Sequence, residues 1–246
     1  MTEPTIFDFP TVPGWNRVWW ASARALRPLL VALTRTTWSG TPQTPAEGGA
    51  IIALNHISQV DPILTTHFMI EHEGRVPSFL AKESLFRNRW VGWWFRATDH
   101  VPVDRSAGGL SIGPAVEAVR KGAVILAYVE GTITRDPDGW PVTAKTGTAR
   151  IALETGAPVI PVAQWGAQEL MPAYSGRLRV RLWNQPEVAF RIGSPVDLSD
   201  LVGRQADPVA VAEATGRIMQ AIVAELEVLR GESAPVTRFS RADEAV

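Results

Sequence analysis

Short apolar runs alternate with amphipathic stretches along most of the chain. Ala50–Leu54 is a continuous apolar run of strand length, entered from a loop rich in Gly, Pro and Thr over 39–49 and left through polar residues. Runs of the same kind predict strands over 76–81, 100–103, 123–129 and 158–164, with two later strands over 178–183 and 187–192. Helical spacing fills the intervals at 14–36, 62–72, 111–121 and 144–155, an aromatic and arginine-rich stretch that is either an interfacial segment or a lid or core helix covers 82–96, and Asp207-Pro208 opens a long helix to Arg230. Alternating strands and helices predict an α/β fold, a mostly parallel central sheet flanked by helices. The expected organisation is an N-terminal amphipathic, membrane-docking helical segment over 1–38, one domain over 39–230 and a disordered tail over 231–246.

The first helix carries the membrane expectation. Trp15, Trp19, Ala23, Leu26, Leu30 and Leu33 share one face, Arg17, Arg24 and Arg35 the other, and no acidic residue occurs between Phe9 and Ala46. Trp and Leu opposite cations suit an anionic membrane surface, whereas the same pattern also serves a helix packed on its own domain. Pro28 predicts a kink or a split. Aromatics between arginines recur over 87–96, as an interfacial segment or a hydrophobic lid.

Composition narrows the chemistry. A net charge of −1 supplies no basic field for nucleic acid. Cysteine is absent, which excludes disulfides, thiolate-bound zinc and an acyl-cysteine intermediate. No apolar run is long enough to span a bilayer, and the first residues lack a signal-peptide pattern. Seven of the ten Trp lie between Trp15 and Trp94, which agrees with an interfacial N-terminal half.

Candidate chemistry gathers at strand ends. His56 follows the 50–54 strand, and Asp61-Pro62 reads as a helix N-cap with proline at the first helical position. Asp61 is near enough in sequence to bond one ring nitrogen of His56, leaving the other free to take a proton from a substrate hydroxyl. The plain alternative is a capping Asp beside an unrelated histidine. Asp104-Arg105 ends a second strand and Glu130-Gly131-Thr132 a third, and in a parallel sheet these ends share one edge. Arg105 can hold a phosphate bidentately, or pair with Asp104 at the surface; Glu130 can shape an anion site, or cap a neighbouring helix.

Two other patterns carry less. Gly109-Leu110-Ser111-Ile112-Gly113 matches a nucleophile elbow, but every His lies upstream of Ser111, which reads as a helix cap. His67 and His72 do not share a helical face, miss the zinc-helix spacings and read as solvated residues.

Together the blocks resemble the PlsC-like glycerolipid acyltransferases, the family of 1-acylglycerol-3-phosphate acyltransferases. Asn55-His56 through Asp61-Pro62 resembles the first block, Val101-Pro102-Val103-Asp104-Arg105 the second, Tyr128-Val129-Glu130-Gly131-Thr132 the third and Val159-Ile160-Pro161-Val162 the fourth. The resemblance implies acyl transfer from an acyl thioester, on coenzyme A or acyl carrier protein, to the hydroxyl of a lysophospholipid, without metal or other cofactor, and a peripheral place on the cytoplasmic face of the membrane. It implies His56 as base, Asp61 as its orienting partner, Arg105 on the acceptor's phosphate, and Asn55, Glu130, Gly131, Thr132 and Lys145 in the substrate site. Ile133 stands where the third block usually has Arg, so Arg135 is a candidate substitute. The alternatives are another lysophospholipid or polyol phosphate as acceptor, or a non-catalytic membrane-binding module.

Overall fold

The computed structural model describes residues 16–103, 112–179, 183 and 185–235. Asp104, Arg105, Ser111, Trp15, half of the 178–183 run and most of the C-terminal tail lie outside the described residues.

The core is a seven-stranded sheet in the order β1 (Arg35–Ser39), β7 (Glu187–Ile192), β6 (Val159–Trp165), β2 (Ala50–Leu54), β5 (Val124–Tyr128), β3 (Pro77–Lys82), β4 (Val101–Val103). Five strands, β6 through β4 in that order, run parallel; β7 pairs antiparallel to β6 and carries β1 with it. β2 is central and completely buried, as a strand apolar on both faces should be. Its alternate residues serve two cores. Ile51 and Ala53 pack with α5 (Gly113–Arg120), α6 (Gly147–Thr155) and α8 (Pro208–Arg230). Ile52 and Leu54 pack on the other face with Leu64 and Phe68 of α2 (Asp61–Phe68) and with Leu30 of α1 (Arg17–Leu33).

β2 and β5 are neighbours whose onward connections diverge. The chain leaves β2 toward β3 and leaves β5 toward β6 on the opposite side. Such a reversal opens a crevice outside the carboxyl ends of the two strands. His56 follows β2 there, and Glu130 follows β5.

Several expectations change in detail. β1 falls in a stretch read partly as helix and partly as loop; its Arg-Thr-Thr-Trp-Ser sequence is polar because it forms the sheet's edge. The boundary at 38–39 therefore cuts a strand. α1 runs through Pro28 without a break. Its Trp19 and Leu33 are buried, and Ala23, Leu26 and Leu30 line an open cavity. Part of the face expected to meet a membrane thus packs on the domain itself, while Leu26 stays exposed.

The 82–96 stretch divides into α3 (Glu83–Arg87) and α4 (Arg89–Ala97), with Asn88 capping the second through the Trp90 and Val91 N–H groups. Gly92 permits the close turn, since a Cβ there would lie 2.1 Å from the Phe86 carbonyl oxygen. α2 continues into a π-helical turn, Met69–Glu73, closed by Gly74 in the left-handed conformation. His67 lines the cavity, and His72 stacks on Phe68 and bonds Glu73, so neither is the solvated helix residue expected. A short helix α7 (Ala167–Leu170), absent from the sequence pattern, follows β6.

Candidate active site

Asp61 does not cap α2. The helix is preceded by Val60, and Asp61 occupies its first turn with the side chain turned back toward the loop. Its Oδ2 accepts from the Ile57 N–H at 2.7 Å and the Ser58 N–H at 2.8 Å, and lies 2.7 Å from His56 Nδ1. One carboxylate oxygen thereby shapes the 55–61 loop and fixes the imidazole. With Nδ1–H donated to Asp61, the unprotonated nitrogen is Nε2. Oδ1 is buried without a hydrogen bond. Burial raises the Asp61 pKa above the ordinary 3.8, against the opposing pull of His56 and the two backbone donors.

Tyr128, at the end of β5, stacks on His56 with ring centroids 4.2 Å apart and planes at 21°. Its hydroxyl bonds Thr65 Oγ1 at 3.1 Å, and Thr65 in turn donates to Gln164 Oε1 at 3.1 Å. Burial, then the nearby Asp61 charge, raises the Tyr128 pKa well above the usual phenol value, so this ring stays neutral and acts as a wall.

Two supports converge on the backbone of the His56 loop. On one side Gln164 and Asn55 form a closed set: Gln164 N–H to Asn55 Oδ1 at 2.9 Å, Asn55 Nδ2 to the Gln164 carbonyl at 3.0 Å, and Gln164 Nε2 to the Asn55 carbonyl at 2.8 Å. On the other side Thr134 N–H donates to the His56 carbonyl at 2.7 Å, while Thr134 Oγ1 donates to the Trp140 carbonyl at 2.8 Å. The Arg230 guanidinium, from the end of α8, lies between the rings of Trp140 and Trp165 at 4.0 and 3.9 Å and bonds the Asp138 carbonyl at 2.7 Å. Trp165 directly follows Gln164. One cation therefore joins both supports of the histidine.

The crevice opens into a cavity of about 990 Å³. His56, Gly131 and Lys145 line it. Gly131 has φ +69°, and a Cβ there would press to 3.3 Å from Lys145 Cγ. The remainder is mainly apolar: Pro62, Ile63 and Ile70 from the α2 side, Phe79 and Leu126 from the sheet, Ala23 and Leu26 from α1. Trp94 closes a side by donating its Nε1–H to Ser22 Oγ at 2.9 Å.

The structure sorts the expected site residues. His56, Gly131 and Lys145 line the cavity. Asn55 is completely buried with its amide engaged by β6, so its part is to hold the strand end. Glu130 is buried, and its Oε1 accepts from the Val142 N–H at 2.8 Å, which folds the loop after β5. Thr132 Oγ1 lies 3.4 Å from the Tyr174 hydroxyl, and that hydroxyl donates to the Ile133 carbonyl at 2.6 Å. Arg135 sits over the Tyr174 ring at 5.4 Å. Arg105 falls outside the described residues. Among the described residues no group of three or more His, Asp or Glu is placed to hold a metal ion.

Sequence reading passed over Tyr128 as a site residue, and also Thr65, Thr134, Gln164 and Tyr174. Two signals were present. Gln164 is the one polar residue in an otherwise apolar run, and the chain's only two tyrosines are Tyr128 and Tyr174.

The chain is similar to several known proteins. The acyltransferase family model matches residues 35–165, more than half of the chain. The 1-acyl-sn-glycerol-3-phosphate acyltransferase of Bacillus subtilis is 28% identical over 157 residues, 63% of this chain and 71% of that protein. The enzyme of the same name from Streptococcus pneumoniae is 28% identical over 126 residues, 50% of this chain and 42% of its own length. In fold, the chain resembles the crystal structure of the 1-acyl-sn-glycerophosphate acyltransferase PlsC from Thermotoga maritima, with a TM-score of 0.60 and 24% identity over 82% of this chain and 75% of that one. The matched family segment spans β1 through β6 and includes the whole His56–Asp61 loop, and the chain is accordingly a member of the PlsC-like acyltransferase family.

Proposed function

We propose that this protein transfers a fatty acyl group from an acyl thioester, acyl-CoA or acyl-ACP, to the free hydroxyl of 1-acylglycerol-3-phosphate, giving phosphatidic acid for phospholipid biosynthesis. The observation that carries the reading is the His56–Asp61 pair at 2.7 Å, with the histidine on the wall of a large apolar cavity. His56 Nε2 takes the acceptor's hydroxyl proton as that oxygen forms its bond to the thioester carbonyl carbon. Asp61 stabilises the imidazolium. The tetrahedral intermediate then breaks its C–S bond, and the thiolate takes the proton back from His56. A thioester is already activated, so the balance closes without a covalent enzyme intermediate or cofactor. Lys145, on the cavity wall with His56, and Arg105 complement the acceptor's phosphate. Gly131 lets the backbone approach the same group.

Docking on an anionic membrane belongs to the same proposal, on a different face from the expected one. Trp90, Trp93 and Trp20 are 75%, 55% and 46% exposed on α4 and α1, and Arg89 and Arg24 lie over Trp90 and Trp20. No described helix is long and apolar enough to cross a membrane. Rings at the interface with cations beside them would hold the protein peripherally on the cytoplasmic face. Ile133 in the third block favours a second reading, in which the acceptor is another lysophospholipid or a polyol phosphate.

The test is thiol release from acyl-CoA and acyl-ACP with a panel of lysophospholipid acceptors. The reading expects release that depends on acceptor and is greatest with 1-acylglycerol-3-phosphate. Release with equal rate in the absence of any acceptor would make the protein a thioesterase, and no release would remove the enzyme assignment.

A further inference from the structure

The cavity is apolar along most of its walls, and among the described residues it holds a charged pair that the transfer reaction does not use. Arg27 on α1 and Glu71 in the π-helical turn both line it, and they pair side-on: Nε to Oε1 at 2.9 Å and Nη2 to Oε2 at 3.3 Å. Their side chains are only 15% and 16% exposed. His67 lines the cavity beside them and is held neutral, its pKa lowered to about 4 by burial and by the Arg27 charge.

The place of this pair follows from the helix. Asp61, in the first turn of α2, bonds His56, and Glu71 comes ten residues later in the continuation of that helix. At the α-helical rise the two are separated by roughly 15 Å. The catalytic histidine and the ion pair therefore stand at opposite ends of the α2 wall. Between them that wall presents Pro62, Ile63, Thr66 and Ile70, and the Thr66 hydroxyl is turned back to the Pro62 carbonyl at 2.7 Å.

An acyl chain entering from His56 gains affinity for each methylene it buries, about fourfold per methylene on general grounds. That gain ends where the next contact is a charged pair. Covering Arg27 and Glu71 with hydrocarbon would strip the remaining water from two ions and return no hydrogen bond. We propose that the Arg27–Glu71 ion pair forms the floor of the acyl cavity and sets the longest acyl chain that the enzyme accepts. The inference rests on the acyl-transfer reading and adds to it the residues that select chain length.

The experiment compares kcat/KM for acyl-CoA thioesters of graded length, with 1-acylglycerol-3-phosphate as acceptor, in four proteins. Wild type should fall off sharply beyond one length. Arg27→Met with Glu71→Met removes both charges and leaves neither unpaired; kcat/KM for the first over-length thioester should rise about tenfold, with shorter thioesters unchanged. The swapped pair, Arg27→Glu with Glu71→Arg, should restore the wild-type limit. Thr66→Phe, which leaves the ions in place but fills the wall between them and His56, should shorten the accepted chain. Should the Met pair fail to fold, Glu71→Asp decides, because it keeps the pair but draws it back by one methylene: a shift to longer chains supports the floor, and an unchanged profile overturns it. A Met pair with the wild-type length profile, while Thr66→Phe still shortens it, would place the acyl chain in the cavity and overturn the role of the ions. Wild type inactive on every thioester would defeat the acyl-transfer reading itself, and the floor with it.

Discussion

His56 and His100 stand on the same sheet, each at a strand boundary, and each has an aspartate a few residues downstream: Asp61 after one, Asp104 after the other. Their surroundings make them different reagents. Both line the cavity, but His56 has a carboxylate oxygen at 2.7 Å and one ring face on Tyr128. His100 is buried and takes edge contacts from Trp19, Phe79, Trp94 and Phe95, all with centroids between 5.0 and 5.6 Å. Its Nδ1 lies 3.4 Å from the Phe79 N–H, and burial lowers its pKa to about 4. An aromatic cage keeps a histidine neutral and makes it packing material; a buried carboxylate makes it a directed base. Spacing in sequence does not separate the two cases, because the cage around His100 comes from other elements.

Substitutions can break that contrast. The largest effect is expected at His56. His56→Ala should lower acceptor-dependent thiol release about a thousandfold, with the melting temperature nearly unchanged since the ring lies at the cavity wall. Asp61→Asn should lower kcat about a hundredfold, because the imidazole loses its orienting acceptor. The same variant tests the electrostatics. The folded-state pKa of Asp61 is raised, so folding favours its protonated form, and wild type should lose stability as pH rises through the window just above 3.8. The asparagine variant has no such loss. The stability difference between the two should therefore shift in favour of the variant through that window, and a constant difference would contradict the burial argument.

A smaller effect is expected at Arg230, which touches neither pocket nor dyad. Arg230→Met removes the cation between Trp140 and Trp165, loosening both supports of the His56 loop. We expect kcat to fall about tenfold with KM little changed, and Arg230→Lys to recover part of the loss. Equal changes in KM and kcat would show that the clamp shapes binding instead. The smallest effect on activity belongs to His100. His100→Phe should leave kcat within about twofold of wild type. Its effect appears in acid. The folded pKa of about 4 lies below the ordinary 6.5, so the unfolded chain takes up its proton first; His100 contributes fully above 6.5 and its contribution is lost as pH falls toward 4. The difference is about 3 kcal/mol, and denaturant unfolding at those two pH values should show the variant losing less by roughly that amount.

The sheet and the His56–Asp61 pairing were readable because each depends on local pattern. β2 is a pure apolar run, and His56 and Asp61 lie within one loop. The error at Asp61 is instructive: Asp-Pro suits a helix cap, but the carboxylate bonds backward to Ile57 and Ser58, and no local rule distinguishes the two directions. β1 was hidden because an edge strand needs no apolar face. The α1 stripe of Trp and Leu was visible, but whether it faces lipid or the cavity is decided by α2, α4 and the sheet, which only the fold brings together. For the same reason the Asn55–Gln164 clamp, 109 residues apart in sequence, left only the lone polar residue in a strand as its trace.

The most direct test measures acceptor-dependent thiol release by His56→Ala and His100→Phe side by side, with circular dichroism of both. Two folded proteins are expected, the first with transfer lowered about a thousandfold and the second at nearly the wild-type rate. Transfer surviving in His56→Ala, or the two variants losing activity alike, would contradict it.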